Sequence, residues 1–310
     1  MTVLKADFAP DRRAEPIAII GLDCIYPGAP DARSFWRNIL NGVSAVGDPL
    51  PAWNADLYLN ERGATSTQKG GYLKDLYRFN PVEFGIMPSS MDGGEPDQFL
   101  ALGIAARALE DAGYGGEDAD HRDTGVIIGH SPYYHRGQIN TAQHHVFVEQ
   151  TREMIRAMIP AMTPEQEGEL ERLLKDQLPA FNADISPGLV PNVLTGRIAN
   201  RLNLRGPNYM VDAACASSLL AVGSAIDELR AGRSRMMLAG GVNASLPPEV
   251  AIIFTQLDAL STRGAVRPFS SQADGTLLGE GLGLIAMKRQ SDALADPQRR
   301  GRGFGHAPHL

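Results

Sequence analysis

Four short runs dominated by apolar residues, at 16–22, 124–129, 235–240 and 281–287, constrain the fold more than any other feature of this 310-residue chain. Each reads as a strand, and residues 16–22, continuously apolar, predict a strand buried on both faces. Between the runs lie segments with helical spacing. Pro96-Asp97-Gln98 opens a helix whose Phe99, Leu102, Ala105, Ala106, Leu109 and Ala112 share a face, and Gly113 ends it. Asp31 can cap a helix through Phe35, Trp36, Ile39 and Leu40, stopped at Gly42. Residues 191–202 and 247–260 read as further helices. Strands alternating with helices predict an α/β fold, a largely parallel sheet with helices on both faces.

Two stretches break that alternation. Residues 44–95 are rich in Gly, Pro, Asn and Asp and predict a long irregular excursion. Residues 133–186 read as a helical insertion on the surface: 146–158 has helical spacing, and Thr163-Pro164-Glu165-Gln166 has the capping-box pattern with Pro at the first helical position. The charges of the second insertion helix predict a solvated face. Residues 1–14 are polar and read as a flexible lead, ahead of a domain over 15–292.

The chemistry points to Cys215. A turn signal at Gly206-Pro207-Asn208 and a short β-prone run lead into Val211-Asp212-Ala213-Ala214-Cys215-Ala216-Ser217-Ser218, and helical spacing follows as far as Gly232. A cysteine where a strand turns into a helix meets free backbone N–H groups and the positive end of the helix dipole. Both favour thiolate, and the same N–H groups can stabilise a developing oxyanion. Ser217 and Ser218 are expected to satisfy backbone groups at the helix start or to pack closely. A small buried cysteine packed among alanines is the competing reading. Cys24, near the end of the first strand, reads as a buried thiol.

Composition narrows the partners. A hydrophobic content of 43% allows a large core, and a formal net charge of −7 with no basic stripe argues against nucleic acid. Two cysteines cannot form a disulfide framework and suggest a reducing compartment. No apolar leader and no membrane-length segment is present, so a cytoplasmic protein is expected. Gly279-Glu280-Gly281-Leu282-Gly283 precedes a strand instead of following one, which makes it a tight turn and not a dinucleotide loop. His130, His135, His144 and His145 do not fit common zinc-ligand spacings and offer no matching cysteine, so no metal and no cofactor are expected. There is no Gly-x-Ser-x-Gly elbow of an α/β-hydrolase.

Several stretches together resemble the β-ketoacyl synthases, the condensing enzymes of fatty-acid and polyketide synthesis. Asp212-Ala213-Ala214-Cys215-Ala216-Ser217-Ser218 looks like their nucleophile motif, and Ile19 to Gly28 resembles their opening strand and loop. Asp97-Gln98 with Ala108-Leu109-Glu110-Asp111-Ala112-Gly113 is similar to their first long helix. Arg267-Pro268-Phe269-Ser270, Ala273-Asp274-Gly275 and Gly279-Glu280-Gly281 follow in the family's order. The insertion, with Asn140-Thr141-Ala142-Gln143-His144-His145, resembles ketosynthases of multidomain polyketide or polyunsaturated-fatty-acid synthases.

The resemblance implies a thiolase-like layered fold, usually dimeric. It also implies that Cys215 takes an acyl group from an acyl-carrier-protein or coenzyme A thioester. Two histidines would then assist decarboxylation of a malonyl thioester, whose carbanion attacks the acyl-cysteine. The family's H-G-T and N-x-G-H histidine motifs are absent: of His121, His130, His135, His144, His145, His306 and His309, only the last two follow Cys215. The family lysine between those motifs is missing too. The sequence therefore resembles the first half of a ketosynthase. Two functions stay open, acyl transfer at Cys215 and a non-catalytic acyl-binding, dimerisation or scaffold element. The basic, aperiodic tail at 293–310 is read as the mark of a frameshift or truncation within a longer synthase, or as a basic interaction tail.

Overall fold

The computed structural model describes residues 15–51, 65–91, 94–116, 119–132, 134–179 and 181–297. In chain order the strands are β1 (Ile17–Ile25), β2 (Val46–Gly47), β3 (Gly70–Gly71), β4 (Thr124–Gly129), β5 (Asn208–Val211), β6 (Met236–Asn243) and β7 (Gly281–Arg289). The helices are α1 (Ala32–Leu40), α2 (Pro96–Asp111), α3 (Arg136–Ala142), α4 (Val148–Met158), α5 (Pro164–Asp176), α6 (Val193–Arg201), α7 (Ser217–Arg230), α8 (Pro248–Gln256) and α9 (Gln290–Ala295). A five-stranded sheet runs in the order β1-β7-β6-β4-β5, and β2 pairs with β3 in a two-residue ladder.

Strands β4, β5 and β6 are parallel, whereas β7 is antiparallel to both of its neighbours, β6 and β1. Four of the five strands therefore point one way, and β7 is the exception. Its reversal follows from the connection before it. The segment carrying α8 leaves β6 at Asn243 and re-enters at Gly281, the residue paired with Asn243, so it starts and finishes at the same end of the sheet.

One face of the sheet is sealed. Ile20, Val126, Ile128, Leu238, Leu284 and Ala286 pack with Phe99, Leu102, Ile104 and Leu109 of α2 and with Leu194 and Ile198 of α6. The sequence predicts one apolar stripe on α2, but Leu100, Ala101 and Ile104 are buried as well. The irregular segment explains this: Leu76, Tyr77, Phe79 and Phe84 pack over the same cluster, and the Phe79 and Phe99 rings lie 5.5 Å apart. The excursion is thus the outer cover of α2. Close contact with the sheet depends on Gly21, where a Cβ would sit 2.4 Å from the Ala112 nitrogen.

The other face is only partly covered. Ala221, Ala225 and Leu229 of α7 pack on Ile127, Met237, Ala239 and Met287. Beyond them β1 departs from its expected two-sided burial, with Ile19 50% and Leu22 45% exposed. The strand lies at the sheet edge, paired in the sheet only with β7, and these two side chains line an open cavity together with Trp36 of α1.

Local signals elsewhere match their structures. Asp31 accepts from the Ser34 N–H at 2.7 Å and caps α1. Thr163 and Gln166 form the reciprocal capping box at the start of α5. Between 133 and 186 the structure adds α3 and a π-helical turn, Gln143–Phe147, ahead of α4. Helices α4 and α5 carry exposed ion pairs, among them Arg172 with Glu169 and Asp176. The fold extends past 293: Ala293 is buried on α9, and the Asp296 carboxylate meets Lys288 at 2.5 Å beside Tyr114. Residues 298–310, with His306, His309 and most of the tail, lie outside the described residues, as do residues 1–14.

Candidate active site

Cys215 is solvent-exposed and sits in a single 3₁₀ turn, Ala214–Ala216, between the end of β5 and the first residue of α7. Three side chains fix that turn. Ser131 donates to Asp212 at 2.5 Å, and the same Asp212 oxygen accepts the Ala214 N–H at 3.0 Å. Ser217 accepts the Ala213 N–H at 2.8 Å and donates to the Ala214 carbonyl at 2.7 Å, which is the backbone role expected of it. Together they hold Ala214 at a φ of 50°, a left-handed conformation that costs an L-residue about 1–2 kcal/mol. Hydrogen bonding from Ser131, first, and from the Ala214 N–H holds the Asp212 carboxyl below the usual carboxylate range.

The turn is placed by close contact between α7 and the sheet. Gly129 of β4 and Gly241 of β6 are paired in register beneath the start of the helix. A Cβ on Gly129 would lie 2.2 Å from the Ser217 carbonyl carbon, and one on Gly241 would lie 2.7 Å from the Ser218 Cβ. Both positions therefore exclude any larger side chain. The sequence shows these glycines only as residues at strand ends, so their role escapes a reading by motif.

Around Cys215 opens a broad cavity of about 1640 Å³. Its wall includes Ser131, Leu219 and Val222 near the turn, and Ile19, Leu22 and Trp36 toward the uncovered edge. Cys24 lines it as well but is only 6% exposed, and burial first, then the charges of Asp23 and Asp31, pushes its thiol up to about 12. The two cysteines thus part as the sequence predicts, one exposed in the helix-start turn and one packed.

The later motifs serve the architecture. Glu280 is buried and accepts the Leu73 N–H at 2.7 Å and the Leu246 N–H at 3.2 Å, tying the loop after β3 and the loop after β6 to the head of β7. Gly281 and Gly283 are paired residues within β7, where the strand reading of 281–287 puts them, and the turn reading does not extend to them. Asp274 accepts from Ser261 at 2.8 Å and Thr262 at 3.0 Å, while Gly275, at φ +144°, packs against the backbone of Leu260 and Ser261. No histidine after Cys215 lies among the described residues.

Two histidines left as ordinary by the sequence come together beside the cavity. His130, which follows β4, and His135, which precedes α3, are buried with ring centroids 4.8 Å apart, and Asp97 of α2 lies between them and the sheet loop at Ala244. Each histidine Nε2 stands 3.5 Å from Asp97 Oδ2. His144 and His145 belong to the π turn and contact Phe181 instead.

This architecture is shared with known proteins. The chain is 34% identical over 284 residues to the polyketide synthase PksN of Bacillus subtilis, covering 90% of this chain and 4% of that protein. It is 31% identical over 290 residues to the polyketide synthase ThaG of Burkholderia thailandensis, covering 92% of this chain and 4% of the relative. Among solved structures, the ketosynthase from module 6 of the bacillaene synthase of Bacillus subtilis superposes with a TM-score of 0.67 at 28% identity, covering 90% of this chain and 41% of that one. The oxazolomycin ketosynthase domain OzmH KS7 of Streptomyces albus gives 0.71 at 26% identity, with coverages of 90% and 44%. The chain thus spans less than half of these solved ketosynthases and has their thiolase-like fold over that span. Residues 14–293 match the β-ketoacyl synthase N-terminal domain, and the chain belongs to that family.

Proposed function

We propose that the chain is the nucleophile-bearing part of a ketosynthase acting in polyketide or fatty-acid biosynthesis, with Cys215 as the residue that accepts the acyl group. One observation carries this reading: Cys215 is exposed in a rigidly held turn at the N-terminus of α7, facing a cavity large enough for a thioester substrate. The Cys215 sulfur attacks the carbonyl of an acyl thioester, and the electron pair moves to the carbonyl oxygen, which the Cys215 N–H and the helix start stabilise. Collapse expels the carrier thiolate and leaves acyl-S-Cys215. The donors are acyl-carrier-protein or coenzyme A thioesters. Residues 15–292 form the ketosynthase part, with 133–186 as its insertion, in a cytoplasmic homodimer. Among the described residues no helix is long and apolar enough to cross a membrane.

The chemistry of this chain alone stops at acyl transfer. Decarboxylation needs a group that stabilises the enolate of the malonyl thioester, and no described histidine follows the nucleophile to serve as one. The bare apolar side chains Ile19, Leu22 and Leu219 in the wall of the same cavity support a second reading, an acyl-binding or dimerisation element without turnover. Mass spectrometry of the chain incubated with an acyl thioester separates the two. A mass increment on the Cys215 peptide, lost in Cys215→Ala, is expected. An acyl group retained only non-covalently, and equally by Cys215→Ala, would establish the second reading. Carbon dioxide released from a malonyl thioester by the chain alone would overturn the limit to acyl transfer.

A further inference from the structure

The histidines beside the cavity present an unusual donor balance. His130 Nδ1 lies 2.9 Å from the Val242 carbonyl, an acceptor, so Nδ1 carries the proton and Nε2 of the neutral ring is left with a lone pair. That lone pair faces Asp97 Oδ2, a second acceptor, at 3.5 Å. Neither atom receives a hydrogen bond from any described residue, although Asp97 is 1% exposed and His130 3%. His135 Nε2 approaches the same carboxylate oxygen at 3.5 Å. The other Asp97 oxygen is engaged by the Ala244 N–H. Glu95, the nearest other carboxylate, is committed to the Gly137 N–H at 2.7 Å and the Arg136 N–H at 3.3 Å. Two buried acceptors this close repel unless a metal cation or a shared proton lies between them.

We propose that Asp97 Oδ2, His130 Nε2 and His135 Nε2 form a binding site for a divalent transition-metal ion of the zinc or cobalt type. One ligand atom from each of the three residues lies within 4.8 Å of the other two. Two ligands on a tetrahedral zinc ion, each at about 2.0–2.1 Å, stand roughly 3.4 Å apart, close to both carboxylate–imidazole separations here. Two neutral imidazoles and one carboxylate suit such a borderline ion better than calcium or magnesium, which take oxygen ligands. The Val242 carbonyl supplies the outer hydrogen bond that fixes the tautomer of a ligating histidine. The ligands come from α2, the end of β4 and the entry to α3, so the ion would fasten the segment at 133–186 to the core. His130 also lines the Cys215 cavity, which puts the ion at the side of that cavity.

The test is a titration of the metal-stripped, full-length Cys215→Ser chain with cobalt(II), read by its visible d–d absorption, with zinc stoichiometry measured by elemental analysis. Serine at 215 removes the one exposed thiol that could bind metal independently. One equivalent is expected to bind. His130→Ala and His135→Ala are each expected to weaken binding by more than about tenfold, since loss of an outer-sphere partner alone costs 10–100-fold. His144→Ala should bind as the parent does. Asp97→Asn keeps an oxygen for the Ala244 N–H and should also lose affinity while retaining its circular dichroism, which separates lost ligation from lost folding. Absence of stoichiometric binding, or binding unchanged in His130→Ala and His135→Ala, would overturn the proposal. So would an Asp97→Asn chain more stable than its parent with no cobalt spectrum in either, which would identify the cluster as one held by a shared proton.

Discussion

The two faces of the central sheet use the same kind of residue to opposite ends. On the α2 face, Leu102 and Ile104 of α2 are fully buried between the sheet and the chain at 74–91 that roofs the helix. On the α7 face, Leu219 is 77% exposed and Leu220 50%, although both belong to a helix packed on the same sheet. The sealed face supplies stability, and the open face supplies access. Cys215 belongs to the open one, at the point where α7 is pressed hardest against the strands. The rigidity of the site therefore comes from a local contact, Gly129 and Gly241 under Ser217 and Ser218, and does not require the face around it to be closed.

Alkylation of the two cysteines sharpens this contrast within the open face, and its expected effect is the largest. With Cys24 raised from 9.0 to about 12, its thiolate fraction near neutrality is roughly a thousandfold below that of an ordinary thiol. Iodoacetamide under native conditions should label Cys215 and spare Cys24, as peptide mapping would show; equal rates would remove the distinction. The folded chain holds the Cys24 proton between about 9 and about 12, where the unfolded chain releases it. Stability should accordingly fall as pH rises through that window.

Next in size is the comparison between faces. Leu102→Ala should cost about 3 kcal/mol in a denaturant melt, whereas Leu219→Ala should stay within about 0.5 kcal/mol. Similar losses at both positions would mean that the open face is covered in solution. Gly129→Ala forces α7 away from the sheet and should cost about 1–3 kcal/mol while also slowing Cys215 alkylation. A stability loss with unchanged alkylation would show that the helix start yields without moving the thiol. The smallest effect belongs to Ala214→Gly, which relieves the left-handed φ and should be neutral or stabilising by up to about 1 kcal/mol, with the turn loosened.

What was legible in the sequence was what depends on near neighbours. The Asp31 cap and the Thr163 box are contacts three residues apart, and both are present as read. The Cys215 turn was legible because a strand, a small-residue loop and a helix follow one another directly. The reversal of β7 was not, because an apolar run carries no direction; only the pairing of Gly281 with Asn243 reveals it. Nor was the bare side of β1, since an apolar run signals that a strand can be covered on both faces without saying by what. The Asp97–His130–His135 cluster was hidden for a related reason. His130 and His135 are separated by an irregular loop and a left-handed Tyr134, and Asp97 joins them from a helix more than thirty positions earlier. A spacing rule that searches along the chain does not find ligands assembled across it.

The sheet order carries a consequence for the birth of the protein. Within the sheet, strand β1 is paired only with β7, although the two stand at opposite ends of the described chain. During synthesis β1 must therefore wait for β7. At about 5–20 residues per second that interval is roughly 15–50 s. Throughout it, an apolar β-prone segment with both edges unpaired is exposed to every other nascent chain in the polysome. Residues 17–25 are thus where a holding chaperone would be most needed, and where synonymous codons that alter elongation rate would be felt first in the yield of soluble protein.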